Sequence, residues 1–266
     1  MKRRNTLWIA LSICHRDTIL TPHISIIVPV LNEAKILDAT LSLYTSDVRK
    51  RYSAELIVSD GGSSDESVNI ANKHADVVVT HNEDHRQTIA EGRNKGAAIA
   101  RGNVLVFING DTIPADVESF FSHISKFEQR EGKYARYAAL ACSVHFPPGE
   151  RRLADRLFHT LYNGYVWFLN VVRIGAGRGE CQIVRRDVFL RVGGYRDRLA
   201  AGEDFDLYAR ISRRARVRFA GELLVLESPR RFRKFGYLRV LFWWTVNALS
   251  VLLRGRSSSD EWEPVR

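Results

Sequence analysis

Four short polar clusters hold the residues best suited to chemistry: Asn32-Glu33, Asp60-Gly61-Gly62-Ser63-Ser64-Asp65, Asn109-Gly110-Asp111 and Gly202-Glu203-Asp204-Phe205-Asp206. Asp111 stands beside Gly110, so little bulk keeps a ligand away, and its carboxylate suits a hard divalent cation. Such a cation stabilises negative charge developing on a diphosphate leaving group. Asp60 is an acceptor for the N–H and O–H donors of a base or a ribose. Arg93, in Glu91-Gly92-Arg93-Asn94, suits a phosphate if it reaches the same edge, and reads equally well as a surface arginine on a helix. Structural readings stay open for the others too. Asp65 is a good helix N-cap, Gly61-Gly62 suit a turn, and Glu203 and Asp204 complement a helix dipole.

The elements around these clusters strengthen the chemical reading. Ile24 to Val30 (ISIIVPV) is apolar nearly throughout, as in a central parallel strand covered on both faces. Glu55 to Ser59, Asp76 to Thr80 and Asn103 to Ile108 follow as strands. Helical stripes lie between them: Ile36, Leu37, Thr40, Leu41, Tyr44 and Val48, then Val68, Ala71 and Ala75, then more weakly Ile89 to Ala100. This alternation predicts βαβ units in a mostly parallel α/β sheet. Ligands of such sheets bind beyond the carboxyl ends of the strands, where three of the four clusters fall. Farther on, Ala138 to Phe146 reads as a strand and residues 151–172 as a helix rich in Leu, Phe, Tyr and Trp. A glycine-rich loop (Gly175, Gly177, Gly179), a short strand from Cys181 to Val184 and a helix opening at Glu203 complete the pattern.

A chain of 266 residues with 45% hydrophobic and 26% charged residues is long and apolar enough to fold, which sets disorder aside. The formal charge of +10 is uneven: 12 Lys/Arg against two acids lie between Ala209 and Arg256, an excess equal to that of the whole chain. Such a field suits phosphates, an anionic bilayer or nucleic acid. Cys14, Cys142 and Cys181 are far apart, odd in number and without metal-ligand spacing, so they read as incidental thiols in a reducing compartment. Lys2, Arg3 and Arg4 precede a short apolar run with no small-residue cleavage site. A loosely ordered leader over residues 1–21 is therefore expected rather than a secretory signal.

Leu238 to Leu253 is the most hydrophobic stretch, shorter than the roughly 20 residues that span a bilayer. Arg239, Trp243, Asn247, Ser250 and Arg254 fall on one helical face, with Leu, Phe, Val and Trp elsewhere. A helix with that stripe suits the plane of a membrane interface, and packing on the rest of the protein is the alternative. Leu157 to Val172, with Trp167, offers a second interfacial patch or an acceptor lid.

ISIIVPVLNEA, LIVSDGGSSDES, EGRNKGAAIARGNVLVFINGD and VGGY…AGEDFDL, in this order over about residues 22–228, resemble the successive motifs of family 2 glycosyltransferases. The resemblance implies the GT-A nucleotide-diphospho-sugar transferase fold over 22–235, with a nucleotide-binding half at 22–111, an acceptor half at 112–235 and a basic amphipathic segment at 236–266. It implies that Asp60 contacts the nucleotide base, and that Pro29, Leu31 and Glu33 line the nucleotide pocket. The family's Asp-x-Asp metal motif stands here as Asn109-Gly110-Asp111. The first acid is lost, and Asp111 alone is left for Mn2+ or Mg2+. The later Glu-Asp pair matches Glu203-Asp204, with Asp204 as the base that deprotonates an acceptor hydroxyl for a single inverting displacement. The Trp-bearing motif of processive synthases has no counterpart in Ser228-Pro229-Arg230-Arg231-Phe232-Arg233. One sugar per encounter is expected, with Arg230 and Arg231 gripping phosphate.

The expected enzyme thus uses a nucleotide-sugar donor, with UDP favoured, and a hydroxyl acceptor that is lipid-linked or membrane-embedded. It works in the cytoplasm, on the inner membrane face, without nucleic acid. A sugar nucleotidyltransferase would want a glycine-rich basic loop where Pro29-Val30-Leu31-Asn32-Glu33 stands. A non-catalytic membrane- or nucleic-acid-binding module would not need Asp60, Asp111 and Asp204.

Overall fold

A computed structural model describes residues 21–259, so the expected leader lies outside the described residues apart from its last position, as do residues 260–266. The first half runs β1 (Ile24–Val30), α1 (Ala34–Leu41), α2 (Ser46–Arg51), β2 (Ala54–Asp60), α3 (Ser67–His74), β3 (Val77–Thr80), α4 (Ile89–Ile99) and β4 (Val104–Ile108). The second half runs β5 (Thr112–Pro114), α5 (Val117–Glu128), β6 (Tyr137–His145), α6 (Leu153–Val171), β7 (Cys181–Arg185), α7 (Arg186–Arg191), α8 (Glu203–Ser212), β8 (Arg216–Glu227), α9 (Arg230–Phe235) and α10 (Tyr237–Arg254).

One eight-stranded sheet, ordered β3-β2-β1-β4-β7-β6-β8-β5, holds the fold together. β3, β2, β1 and β4 are parallel, so the three polar clusters that follow β1, β2 and β4 share one edge. β7 runs antiparallel to β4 and β6, and β8 returns parallel to β6. Side chains of a strand alternate between faces, and the continuous apolar runs feed two cores at once. Ile26, Val28, Val106, Leu140 and Cys142 pack on one face with α1 and α5, while Ile27, Ile57, Leu105, Phe107 and Ala141 pack on the other with α4, α7 and α8. α4 keeps only a weak hydrophobic stripe because it lies close on β1: a Cβ on Gly96 would stand 2.4 Å from Ile27 Cγ2.

The stripe from Ile36 to Val48 is not one helix. The chain breaks after α1, and the Thr45 hydroxyl accepts from the Val48 N–H to start α2. β8 is the longest strand, and its sequence hides it. Gly221 and Glu222 interrupt the apolar pattern where the register jumps, so that Cys142 pairs with Ala220 and Ser143 with Leu224. Cys142 and Cys181, far apart in sequence, are free buried thiols with their Sγ atoms 3.4 Å apart on neighbouring strands.

The excess of positive charge toward the C-terminus is not one basic face. Arg210 pairs with Asp206, Arg218 with Glu222, Arg230 with Glu33 and Asp111, and Arg233 with Asp155. The face of α10 is also inverted from expectation. The middle of its polar stripe points inward, with Arg239 and Arg254 left exposed toward its ends: buried Asn247 takes the N–H groups of Ser258 and Ser259, and the Ser250 hydroxyl donates to the Arg256 carbonyl. Leu238, Leu241, Phe242, Leu249 and Leu253 point outward.

α6 repeats this inversion. Asp155, His159, Asn163 and Asn170 are buried, bonded to Arg233, Arg178, the β6 backbone at Val144 and the Ala176 backbone respectively. Leu153, Leu157, Leu161, Tyr165 and Phe168 face out. The two helices meet where Phe158 packs on Tyr237 and Tyr162 on Trp244. Among the described residues no helix is long and apolar enough to cross a membrane.

Candidate active site

The loops after β1 and β2 build each other. Asn32 sits at φ 53°, a left-handed conformation that asparagine tolerates, and its Oδ1 accepts from the Ser64 N–H at 2.7 Å. The N–H groups of Asn32, Glu33 and Ala34, at the start of α1, donate to the side chains of Ser63, Ser67 and Asp65. Asp65 therefore caps α1 from the neighbouring loop, besides accepting from Ser67 in its own turn. Asp60 is different. Its Oδ2 accepts from the N–H groups of Gly62 and Ser63 at 2.9 Å, and its Oδ1 is buried with no partner. A buried acceptor left unpaired is costly unless a ligand completes it.

A cleft of about 380 Å³ opens beyond these strand ends. Pro29, Leu31 and Glu33 line it from β1, Gly61 from β2, Asn109, Gly110 and Asp111 from β4, and Arg230 and Arg231 from α9. Arg230 Nη2 stands 3.4 Å from Glu33 Oε2 and 3.3 Å from Asp111 Oδ2. Burial raises the Asp111 pKa above the ordinary carboxylate value, with Arg230 acting against the rise. One carboxylate plus phosphate oxygens is an adequate ligand set for a hard divalent ion, so Asp111 fits that role. Asn109 does not join it, because its Oδ1 accepts from Arg93. Among the described residues the one group of three metal-type ligands is His81, His85 and Glu91. There the Lys95 ammonium already stands 2.8 Å from His81 Nδ1 and 3.1 Å from Glu91 Oε1, which makes it the cation of that cluster.

Arg93 corrects an expectation. It is neither on the surface nor in the cleft, being 1% exposed. Nη1 donates to Glu203 Oε1 at 2.8 Å, and Nη2 donates to Asn109 Oδ1 at 3.0 Å and the Gly179 carbonyl at 2.6 Å. These bonds commit both terminal nitrogens inside the protein, which leaves a phosphate no clear claim on them. Glu203 is correspondingly an ion-pair partner of Arg93. Its neighbour Asp204 has no cation bonded to it: Oδ1 accepts from the Phe205 N–H at 2.7 Å. Oδ2 lies 3.2 Å from where a Cβ on Gly179 would stand, so that glycine makes room for it. Burial and the neighbouring charge of Glu203 push the Asp204 carboxyl up to about 7. Asp204 lies behind Gly179, next to the cleft wall rather than in its lining.

Among the lining residues that escaped sequence reasoning are Glu180, Glu227 and Trp244. Glu180 was visible only as an acid ahead of a short strand, Glu227 ends the hidden strand β8, and Trp244 lay in a stretch read as interfacial. Behind them Arg178, 2% exposed, donates to Glu180 at 3.2 Å and to Glu227 at 2.7 Å. Burial opposes charge on both acids. Arg178 nonetheless holds Glu180 below its ordinary pKa, while burial and the nearby Glu180 charge drive Glu227 well above.

A twisted, mainly parallel sheet whose acidic strand ends surround one cleft is the architecture of nucleotide-sugar transferases. Residues 25–192 match the profile of glycosyl transferase family 2, and the chain belongs to that family. Glycosyltransferase AglE of Haloferax volcanii is 33% identical over 96 residues, covering 35% of this chain and 32% of that protein. The chain thus spans about a third of the length of such curated relatives. A Pyrobaculum calidifontis mannosyltransferase in complex with GDP-Man and Mn2+ superposes with a TM-score of 0.59 at 18% identity, over 79% of this chain and 57% of the other. Glucosyl-3-phosphoglycerate synthase of Mycobacterium tuberculosis, in complex with Mn2+, UDP and glucosyl-3-phosphoglycerate, superposes with a TM-score of 0.56 at 16% identity, over 90% and 82%. At these identities the likeness shows the GT-A fold.

Replacing Arg93 by Leu leaves Glu203 buried without its counter-charge and takes a donor from Asn109 and Gly179. The expected loss is about 3–5 kcal/mol, read as a fall in the urea midpoint. Arg93→Leu combined with Glu203→Leu is expected to recover part of it. A loss under about 0.5 kcal/mol, typical of a surface site, would contradict the buried strut.

Proposed function

We propose that this chain transfers a sugar from a nucleoside-diphosphate sugar, with UDP favoured, to a hydroxyl acceptor, one sugar per encounter and with inversion. The observation that carries the reading is the unpartnered, buried Oδ1 of Asp60 beside a cleft whose other strand end presents Asp111 and Arg230. An acceptor for a base N–H and charged groups for a diphosphate lie on one edge. Bound GDP-Man, UDP and Mn2+ in the structural neighbours support the same donor class.

In this reading Pro29, Leu31 and Glu33 shape the nucleotide pocket, and Arg230 and Arg231 face the diphosphate. Asp111 holds the divalent ion, which supplies positive charge to the departing diphosphate. Asp204 removes the proton from the acceptor hydroxyl. The acceptor oxygen bonds to the anomeric carbon as the bond to the nucleoside diphosphate breaks on the opposite face. A base is active only when ionised, and a carboxyl raised to about 7 is matched to near-neutral conditions. Glu203, fixed by Arg93, keeps negative charge beside Asp204 and so sustains its raised pKa.

The membrane reading is sharpened by the two inverted helices. α6 and α10 turn apolar stripes outward, Arg156, Arg239 and Arg254 stand exposed along them, and the one acid on either helix, Asp155, is buried against Arg233. Apolar anchors with basic neighbours and no exposed acid suit an anionic bilayer surface.

Calorimetry with UDP and GDP, with and without Mn2+, should show micromolar-range binding of one nucleotide that Asp60→Leu weakens about ten-fold or more. Absence of any nucleotide binding sinks the reading.

The transfer rate should rise with pH through about 7 and level off above it, because protonated Asp204 cannot accept a proton. Asp204→Asn should cut the rate by about 10²–10⁴ while nucleotide affinity persists. An unchanged rate in that variant would remove Asp204 from the mechanism.

The protein should sediment with phosphatidylglycerol liposomes at low salt, and a Leu157→Asp, Phe242→Asp double variant should stay in the supernatant. Wild-type protein remaining wholly unbound overturns the membrane reading.

A further inference from the structure

One part of the cleft lining has a composition of its own. Trp244, Glu180 and Glu227 form it, on three elements far apart in sequence. α10 delivers Trp244 because its inward face, which includes Val240 and Val251, packs on the protein. The Arg178 guanidinium lies behind all three. It binds both carboxylates and stands 5.0 Å from the Tyr162 ring centre and 5.9 Å from that of Trp244. An ionised carboxylate has about four acceptor positions, and Arg178 uses only part of that capacity on each acid.

Two adjacent acids are a poor site for a phosphate. The wall suits a neutral molecule with an apolar face for the indole and a rim of hydroxyls for the carboxylates. A pyranose ring has that shape, with C–H bonds on its faces and O–H groups around its edge. Burial and the nearby Glu180 charge raise the Glu227 carboxyl well above its ordinary value. The location also fits. Glu180 follows Gly179, the residue against which the Asp204 carboxylate lies, so Glu180 stands one residue from that contact.

We propose that Trp244, Glu180 and Glu227 form an acceptor subsite that binds the terminal sugar ring of a saccharide-bearing acceptor. This rests on the glycosyl-transfer reading and gives the acceptor its chemical class. Arg178 is a positioning residue that fixes the two acids and the indole.

The test uses the full chain with saturating UDP or GDP and Mn2+. It is titrated with the n-octyl glycosides of glucose, galactose, mannose and N-acetylglucosamine below their micelle concentrations, with octyl phosphate as the counter-probe. Saturation-transfer NMR reports contact at the sugar ring protons, and tryptophan fluorescence reports the affinity. At least one glycoside should bind saturably, and Trp244→Ala and Glu180→Gln should each weaken it about ten-fold or more. Nucleotide affinity should change by less than about two-fold. Glu227→Gln serves as a further variant should Trp244→Ala fail to fold by circular dichroism. Nucleotide binding with no glycoside binding overturns the subsite. So does octyl phosphate binding more tightly than every glycoside and losing affinity in the same variants. Glycoside binding without nucleotide binding upholds the subsite and sinks the donor reading instead.

Discussion

A guanidinium withdrawn from water must find its acceptors inside the protein, and Arg93 finds them on three separate segments. Asn109 after β4, Gly179 in the glycine-rich loop and Glu203 at the start of α8 all bond to it. Those segments carry Asp111, Glu180 and Asp204, so the relative placement of the groups around the cleft depends on one buried cation. The neutral residue at position 109 is consistent with this. Its amide oxygen serves Arg93 without setting a second full charge beside the Arg93–Glu203 pair. The usual acid at that place would do so, and the cost is that Asp111 lacks the second acid of its own motif.

A second buried arginine does similar work along the same cleft. Arg178 holds Glu180 and Glu227 near each other, and burial drives their affinities for protons apart. The site therefore sorts its acids by environment. Asp60 keeps an unfilled acceptor, Asp111 faces Arg230, Asp204 is raised by burial and Glu203, and Glu227 is raised by burial and by the neighbouring Glu180.

α6 and α10 show how tertiary partners can invert a helix. Hydrophobic residues normally turn inward, yet here Asp155, Asn163, Asn170 and Asn247 occupy the inner faces. Each is fully engaged there, with Arg233, the β6 edge, the Ala176 loop and the segment after α10. A buried polar group with good partners is tolerated, and the apolar stripes are left facing outward. Patches of that kind on a soluble surface mark an interaction face.

The residues themselves determined the parallel half of the fold. Apolar runs such as Ile24 to Val30, alternating with helical stripes, can be buried in few other ways, and the polar clusters at their ends fix the ligand edge. The family motifs were equally legible, since Asp60, Asp111 and Asp204 stand in local sequence patterns. Long-range contacts decided the rest. Whether Arg93 lay on the surface or in the core depended on Glu203, 110 positions away. Strand β8 was invisible because its register break looks like a turn until β6 lies beside it. Periodicity showed that α10 is amphipathic but gave no sign of which face packs inward, because the Asn247 amide oxygen has partners only once Ser258 and Ser259 fold back along the helix. Trp244, Glu180 and Glu227 share a wall only because α10, the glycine-rich loop and β8 converge there, and no local pattern encodes that meeting.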